Sequence, residues 1–495
     1  MSNPLAPDWL VPPADQNALD QKVWPAHARR DDDGVLRVGG VSASRLVEQY
    51  GSPLYVVDLD EVVERARHLE HVLTSALAVS GRTLRIHYAT KALLAADVIR
   101  ALDGLGWGFD VSSFGEWEWT RRAGANPAHV EYQGNNKTVH ELRAAISHGV
   151  GQMVIDSAIE VERLAQVTAE LGVTQDVMIR VNTGVHAGTH EYLATAREDQ
   201  KFGVARADIP ALAAEIARHP SLRLIGLHSH IGSQIVAPDG FVEATKRVLE
   251  LYKTLQAHHP LTTLNIGGGF AIPYTSVDPD SNLEDIAQAV GQEIDGFVTR
   301  EGITLDTIAC EPGRYVVGPA GITLYSVGTT KPVEVDYPVG EGSDAESGSA
   351  TRLYVSVDGG MSDNLRPALY GANYTARIAN RASSAPPALV RVVGSHCESG
   401  DIVIHDDYLP ADVTPGDLVA VAATGAYCHS LSSNYNALGR PALVVVEGGE
   451  ARVAIQSETP DDVMARDLGL ALGSRTGAQN TADENTTVEE RTDQA

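Results

Sequence analysis

The chain is 495 residues long, 43% hydrophobic, and carries a formal net charge of -27 at pH 7. That length exceeds what one hydrophobic core usually serves, so two domains are expected. Such acidity offers no basic footprint to nucleic acid or an anionic membrane, and both are excluded as partners.

Cysteine occurs at Cys310, Cys397 and Cys428. An odd, widely spaced set without a CxxC pair predicts neither a disulfide framework nor a zinc site; no metal is expected, and a reducing cytoplasm fits. The first 20 residues lack a basic region followed by an apolar core, and no run is long enough to span a bilayer, so the predicted location is cytoplasmic.

Residues 1–33 are rich in Pro, Asp and Ala without periodicity and predict an extended, partly disordered arm. Residues 34–53 read as a small strand and helix belonging to a β domain. From 54 to 311 a rhythm repeats: a short β-branched run, a loop, then an amphipathic helical stretch. Strands are predicted at 84–89, 108–111, 129–132, 153–156, 177–181, 224–228, 263–266 and 307–310, with helices such as 60–77, 139–147, 159–171 and 241–258 between them. This alternation, about eight times over, predicts an α/β fold, a (β/α)8 TIM-like barrel, with a doubly wound open sheet as competitor. The barrel is favoured because Lys91, Asp110, Asn135, Asn182, His230, Glu311 and Arg314 all fall at or just after strand C-terminal ends, where barrel active sites are built.

Past Arg314 strands alternate at short spacing, and 312–470 reads as a second, mainly antiparallel β-sandwich or β-barrel domain. A flexible acidic insertion is expected at about 340–350, and a disordered acidic tail at 471–495.

Lysine is scarce: Lys22, Lys91, Lys137, Lys201, Lys246, Lys253 and Lys331. Lys91 leaves an apolar run between Ala89 and Ala92, where partial desolvation should lower its pKa and free the amine for Schiff-base chemistry. Lys137, among Asn135, Asn136 and Thr138, reads instead as a water-exposed helix start. His228 and His230, at i and i+2 on a strand, could pair on a metal, but the Gly232-Ser233 that follows suits a phosphate-binding turn. Gly267, Gly268 and Gly269 after the seventh strand, and Glu311 to Arg314 after the eighth, occupy the places where barrels commonly hold phosphate. Lysine, phosphate cradle and carboxylate in one barrel mouth describe a pyridoxal 5'-phosphate site.

Residues 88–92 (Tyr-Ala-Thr-Lys-Ala), 228–234 (His-Ser-His-Ile-Gly-Ser-Gln), 267–269, 311–314 (Glu-Pro-Gly-Arg), 358–361 (Asp-Gly-Gly-Met), 366–371 (Arg-Pro-Ala-Leu-Tyr-Gly), 397–401 (Cys-Glu-Ser-Gly-Asp) and 425–427 (Gly-Ala-Tyr) resemble, in order, the motif series of diaminopimelate decarboxylase. That family shares an alanine racemase-like barrel and a β domain with the ornithine and arginine decarboxylases. The resemblance covers roughly residues 34–468, and small departures, such as Thr90 and Leu93 beside the lysine, remove no role.

The resemblance implies that Lys91 carries pyridoxal phosphate and His230 stacks on its ring. Ser233, Gly267, Gly268, Gly269, Gly313, Arg314 and Tyr427 would hold the cofactor and its phosphate, and Glu311 would sit against the pyridine nitrogen, keeping it protonated. Cys397 would reprotonate the α-carbon as a largely protonated thiol. Arg314, Arg366, Tyr370 and Tyr427 would bind substrate, the arginines through carboxylate oxygens, and Glu398 would take the distal ammonium.

That charge pattern suits meso-2,6-diaminopimelate, giving L-lysine and CO2 in the last step of lysine biosynthesis. Decarboxylation of ornithine, arginine or carboxynorspermidine is the nearest alternative. The resemblance further implies a homodimer with shared sites, Cys397 and Glu398 reaching the partner's Lys91, and a mobile loop over 189–203 that includes Arg197 and Lys201.

Overall fold

The computed structural model describes residues 3–185, 200–339 and 346–470. Eight parallel strands close into a barrel: β1 (Thr83–Ala89), β2 (Gly108–Val111), β3 (Val130–Tyr132), β4 (Gln152–Ile155), β5 (Gln175–Asn182), β6 (Leu222–His228), β7 (Thr263–Asn265) and β8 (Thr307–Cys310). Two pairings decide against an open sheet: β8 joins β1 with Ile308 opposite Leu84, and β4 joins β5 with Val154 opposite Met178. The strands match the predicted ones to within two residues at each end. Buried on both faces, they lack a clean polar alternation, as covered parallel strands do.

Helices follow the strands and are started by local chemistry. Ser113 accepts from the Glu116 N–H to cap Phe114–Ala123, and Thr138 with Glu141 forms a capping box on Val139–Ser147. Leu59–Leu77, capped by Asp58, precedes β1 and packs beside Leu283–Glu301, filling the gap in the helical ring left by the short Arg314–Val317 turn.

The second domain centres on one long strand, Gly321–Val339. Its first part pairs antiparallel with Leu54–Asp58 and Leu418–Val421, and its far part with Glu346–Val357, with an irregularity between Val327 and Thr329. Three expectations are corrected here. Leu54–Asp58, placed with the barrel, lies in this second sheet between Gly321–Val339 and Ala442–Glu447, because its five buried residues face apolar neighbours there. The 340–350 insertion is in part regular structure: residues 346–350 pair with the long strand as the end of a hairpin, while 340–345 lie outside the described residues. The N-terminal arm is not loose where described. Val23 and Trp24 are buried, and Arg30 donates to the carbonyls of Ile378 and Arg381 in the second domain. The tail at 471–495 and residues 189–199 of the expected mobile loop lie outside the described residues. No described helix is long and apolar enough to cross a membrane.

Candidate active site

The C-terminal end of the barrel meets the second domain around a cavity of about 1280 Å³. Of the residues singled out above, Lys91, Asp110, His230, Gly232, Ser233, Gly269, Glu311, Gly313, Arg314, Arg366, Tyr370 and Tyr427 line it. Gly267 and Gly268 lie just behind that wall.

Lys91 sits in the single turn Thr90–Ala92 that ends β1. Thr90 is buried and its hydroxyl donates to the Asp110 carbonyl at 2.9 Å, fixing the turn against β2. Lys91 is exposed and lines the cavity, and desolvation by the surrounding walls still acts on it. Even so its pKa is raised, not lowered as expected: desolvation is outweighed by the facing Asp110, Tyr427 and Glu311. The cofactor-free chain therefore holds an ammonium here. Lys137 is corrected too. It is buried, paired with Glu160 at 2.6 Å and donating to the carbonyls of Gly134 and Val154, and serves as a structural ion pair away from the cavity.

The glycine turn is built for close approach. Gly267 has φ 71° and Gly269 φ 116°; a Cβ would lie 2.4 Å from the Ser229 carbonyl oxygen at the first and 2.5 Å from that of Gly232 at the second. At Gly268 a Cβ would meet the Glu311 carbonyl oxygen at 2.0 Å. No side chain fits there, and the Gly267 N–H donates to Asn265 Oδ1 at 2.8 Å. The Gly268 N–H donates to His230 Nδ1 at 3.2 Å, and burial, with Lys91 next, lowers His230 to about 3, so its ring is neutral. Arg314 Nη2 donates to Ser233 Oγ at 2.8 Å, while its buried Nε has no partner. A turn that excludes side chains, a hydroxyl, a guanidinium with an unused N–H, a facing lysine and a deep carboxylate fit a phosphorylated aldehyde cofactor.

Glu311 lies at the bottom. Its Oε1 accepts from His228 Nε2 at 2.6 Å and from Asn265 Nδ2 at 2.7 Å. Burial acts to raise it, but His228 and a hydrogen bond from Glu131 hold it well below the ordinary carboxylate range, so it is ionised. His228 and His230 diverge, one to Glu311 and one to the cavity wall.

Two tyrosines not anticipated from the sequence organise the arginines. Arg314 donates to the Tyr274 hydroxyl and lies 4.7 Å from the Tyr427 ring centre. Arg366 donates to the Tyr374 hydroxyl and lies 4.6 Å from the Tyr274 ring centre. Tyr274 and Tyr374 meet edge to face at 5.2 Å across the domain boundary, and Thr375 donates to the Tyr274 carbonyl at 3.1 Å. The only signal for them was an aromatic residue a few positions past a glycine-rich loop.

Cys397 and Glu398 are exposed and do not line this chain's cavity. Their loop is pinned beneath them: Asp401 accepts from the backbone N–H of His396 at 2.8 Å and bonds His396 Nδ1 at 3.0 Å. Cys428, beside the cavity, is no substitute acid. It is buried against Tyr374 and Asn364, and burial pushes its thiol up to about 11.

A closed barrel offering lysine, cradle and carboxylate under a β domain is the arrangement of pyridoxal-dependent decarboxylases, and residues 59–318 match the family described as pyridoxal-dependent decarboxylase, pyridoxal binding domain. The chain is 43% identical to the diaminopimelate decarboxylase of Mycobacterium tuberculosis over 458 residues, 91% of this chain and 98% of that one. It is 38% identical to that of Bacillus subtilis over 450 residues, 90% and 98% of the two chains. The crystal structure of the M. jannaschii diaminopimelate decarboxylase with L-lysine superposes with a TM-score of 0.81 at 27% identity, covering 90% of this chain and 98% of that one. The chain belongs to the diaminopimelate decarboxylase family and is a pyridoxal phosphate-dependent enzyme.

Proposed function

We propose that the cavity binds meso-2,6-diaminopimelate and releases L-lysine and CO2, closing lysine biosynthesis in the cytoplasm. The observation that carries this reading is the pair of buried guanidiniums, Arg314 and Arg366, 5.8 and 4.6 Å from the Tyr274 ring centre and lining the same cavity as Lys91. A diamine acid with one carboxylate needs one such cation, and diaminopimelate has two carboxylates.

In this reading Lys91 holds the cofactor, and Ser233, the glycine turn, Gly313 and Tyr427 seat its phosphate. Pyridoxal phosphate, when bound, supplies the electron sink for the pair released as CO2 leaves. His230 is neutral and so offers a flat face without adding charge. Glu311 is ionised and so can hold a proton at the ring nitrogen. Arg314, Arg366 and Tyr370 orient the carboxylates.

The remaining groups come from a second copy. Cys397, as proton donor, and Glu398, as partner for the distal ammonium, sit on an outward loop that their own cavity does not use. A homodimer in which each loop completes the other's site accounts for both facts. The barrel then runs over 59–311, and the β domain gathers 34–58 with 312–470.

The test is CO2 release from meso-diaminopimelate, ornithine, arginine and carboxynorspermidine side by side. Turnover of diaminopimelate alone is expected; preference for any of the others overturns the reading of the two arginines.

A further inference from the structure

Asp110 on β2, Glu131 on β3 and Glu311 just after β8 are all buried in the barrel. The reaction above uses Glu311. Glu131 does not reach the cavity and lies one layer deeper, in a strand otherwise made of apolar Val130 and Tyr132.

Donors converge on this pair. Asn265 Nδ2 is 3.1 Å from each Glu131 oxygen and 2.7 Å from Glu311 Oε1. Gln133 Nε2 donates to Glu131 Oε1 at 2.9 Å and Gln152 Nε2 to Oε2 at 2.5 Å, while His228 Nε2 takes Glu311 Oε1 at 2.6 Å. Glu131, His228 and Glu311 place one ligand atom each within 4.8 Å of one another. That spacing would admit a cation, but amide N–H groups already aim at the oxygens a cation would need.

Two carboxylates this close in a dry interior do not both ionise. Asn265 has two N–H bonds for three oxygens in reach, and an oxygen of Glu131 lies within 4.8 Å of one of Glu311, which leaves a place between the carboxyls for a proton. The neighbours decide who keeps it. Glu311 takes the His228 hydrogen bond and faces His230 and Lys91, whereas the hydrogen bonds to Glu131 come from the neutral amides of Asn265, Gln133 and Gln152. Burial first, and Glu311 next, push the Glu131 carboxyl well above the ordinary range, in keeping with that choice. The other titratable groups around the pair are Asp110, His87 and Arg180.

We propose that Glu131 is a positioning residue for Glu311: it keeps the pair's single proton and donates it to Glu311 as a hydrogen bond, fixing that carboxylate in place with its full charge directed at the cavity. The link to catalysis rests on the reading that Glu311 serves the ring nitrogen; the proton's position does not.

The cofactor-free chain tests the proton directly. Near pH 9 buried carboxyls that titrate at about 7, Glu61 and Asp363, are ionised. The difference spectrum between wild type and Glu131→Gln should then show an infrared band of a protonated carboxylic acid that the variant lacks, since Asp110, which burial also raises well above the ordinary range, contributes alike to both. An unchanged band in that variant, or a stoichiometric zinc or manganese ion bound by wild type and lost from it, overturns the proposal. In the loaded enzyme Glu131→Leu, which removes the donor, should lower kcat by about tenfold or more with KM nearly unchanged, the scale of a hydrogen bond to a buried charge. Glu131→Gln, whose amide can still donate, should lose less. Equal losses, or a loss confined to KM, overturn the positioning role. Full turnover in Glu311→Ala with the infrared result intact would instead overturn the reading of Glu311.

Discussion

The backbone N–H of Tyr427 donates to the Ala92 carbonyl at 2.7 Å, clamping a residue of the β domain to the turn that carries Lys91. Tyr427 does this with φ 67°, a left-handed conformation that a bulky side chain adopts at a cost of about 1 kcal/mol or more. The strain brings its ring 4.7 Å from the Arg314 guanidinium. One residue thus couples the lysine turn, the arginine and the domain boundary. Tyr427→Ala keeps the backbone bond but removes the ring. Cofactor affinity and KM for diaminopimelate should each worsen by about tenfold, the scale of a desolvated cation–π contact. Equilibrium dialysis with pyridoxal phosphate and steady-state kinetics read the two effects separately; unchanged values in both would deny the ring any part.

Lys91→Ala removes the one lysine amine that lines the cavity among the described residues. Lys137, buried in its ion pair with Glu160, is unable to replace it. The variant should lose the visible absorbance of bound pyridoxal phosphate and fall in turnover by on the order of 10³-fold or more, as when a covalent catalytic group is deleted. Retained absorbance would assign the anchor elsewhere.

Tyr374→Phe isolates the Arg366 frame. Burial works against this guanidinium, yet the facing Tyr374 and Tyr274 hold its pKa above the ordinary value. Losing the Tyr374 hydroxyl deprives Arg366 of an acceptor but not of its aromatic neighbours. KM should rise by about tenfold, the scale of one hydrogen bond to a charged group, with kcat changed little and the cofactor's absorbance unaltered. A fall in kcat at constant KM would place Arg366 in the transition state and not in ground-state binding.

The barrel was legible because its signal is local. Strand runs, caps such as Thr138 with Glu141, and glycines at strand ends are all written within a few residues of one another. Leu54–Asp58 was misplaced because its partners, Gly321–Val339 and Ala442–Glu447, are hundreds of positions away, and an apolar strand carries no mark of which sheet it joins. The direction of the Lys91 shift was misread for a similar reason: desolvation is a property of the local run, whereas Asp110 and Glu311 reach the amine from other strands. Glu131 did leave a trace, a lone carboxyl in an apolar strand, but its meaning depends on Asn265, Gln133 and Gln152 arriving together. Tyr274 and Tyr374 left almost none.

The proposed sharing of sites between two copies predicts complementation. Lys91→Ala and Cys397→Ala chains should each be nearly inactive alone. Mixed and allowed to exchange, half the dimers pair one of each, and one of the two sites in such a dimer combines an intact Lys91 with an intact Cys397. Activity should recover to about a quarter of wild type. No recovery, with exchange verified by mass spectrometry, would mean that Cys397 serves its own chain or none.

At the seam between the arm and the first long helix, Glu61 is buried and accepts from the Ala26 N–H at 2.9 Å. Burial raises its carboxyl to about 7, against the lowering effect of Arg65. The sign follows from comparing the two states. Below pH 4.5 the group is protonated whether folded or unfolded, and its neutral burial costs nothing electrostatic. Between 4.5 and about 7 the unfolded chain releases the proton and the folded chain keeps it, so stability is lost as pH rises, by about 3 kcal/mol over the window at 1.36 kcal/mol per unit. Above about 7 both states are ionised and the loss stops growing. Glu61→Gln retains an oxygen for Ala26 and cannot ionise. It should therefore melt close to wild type at pH 4.5 and clearly above it at pH 8, a comparison that cancels Asp363, whose carboxyl is likewise raised to about 7 in both proteins. Calorimetry at the two pH values decides it: a constant difference in Tm, or a reversed one, would mean that Glu61 is ionised in the folded chain throughout.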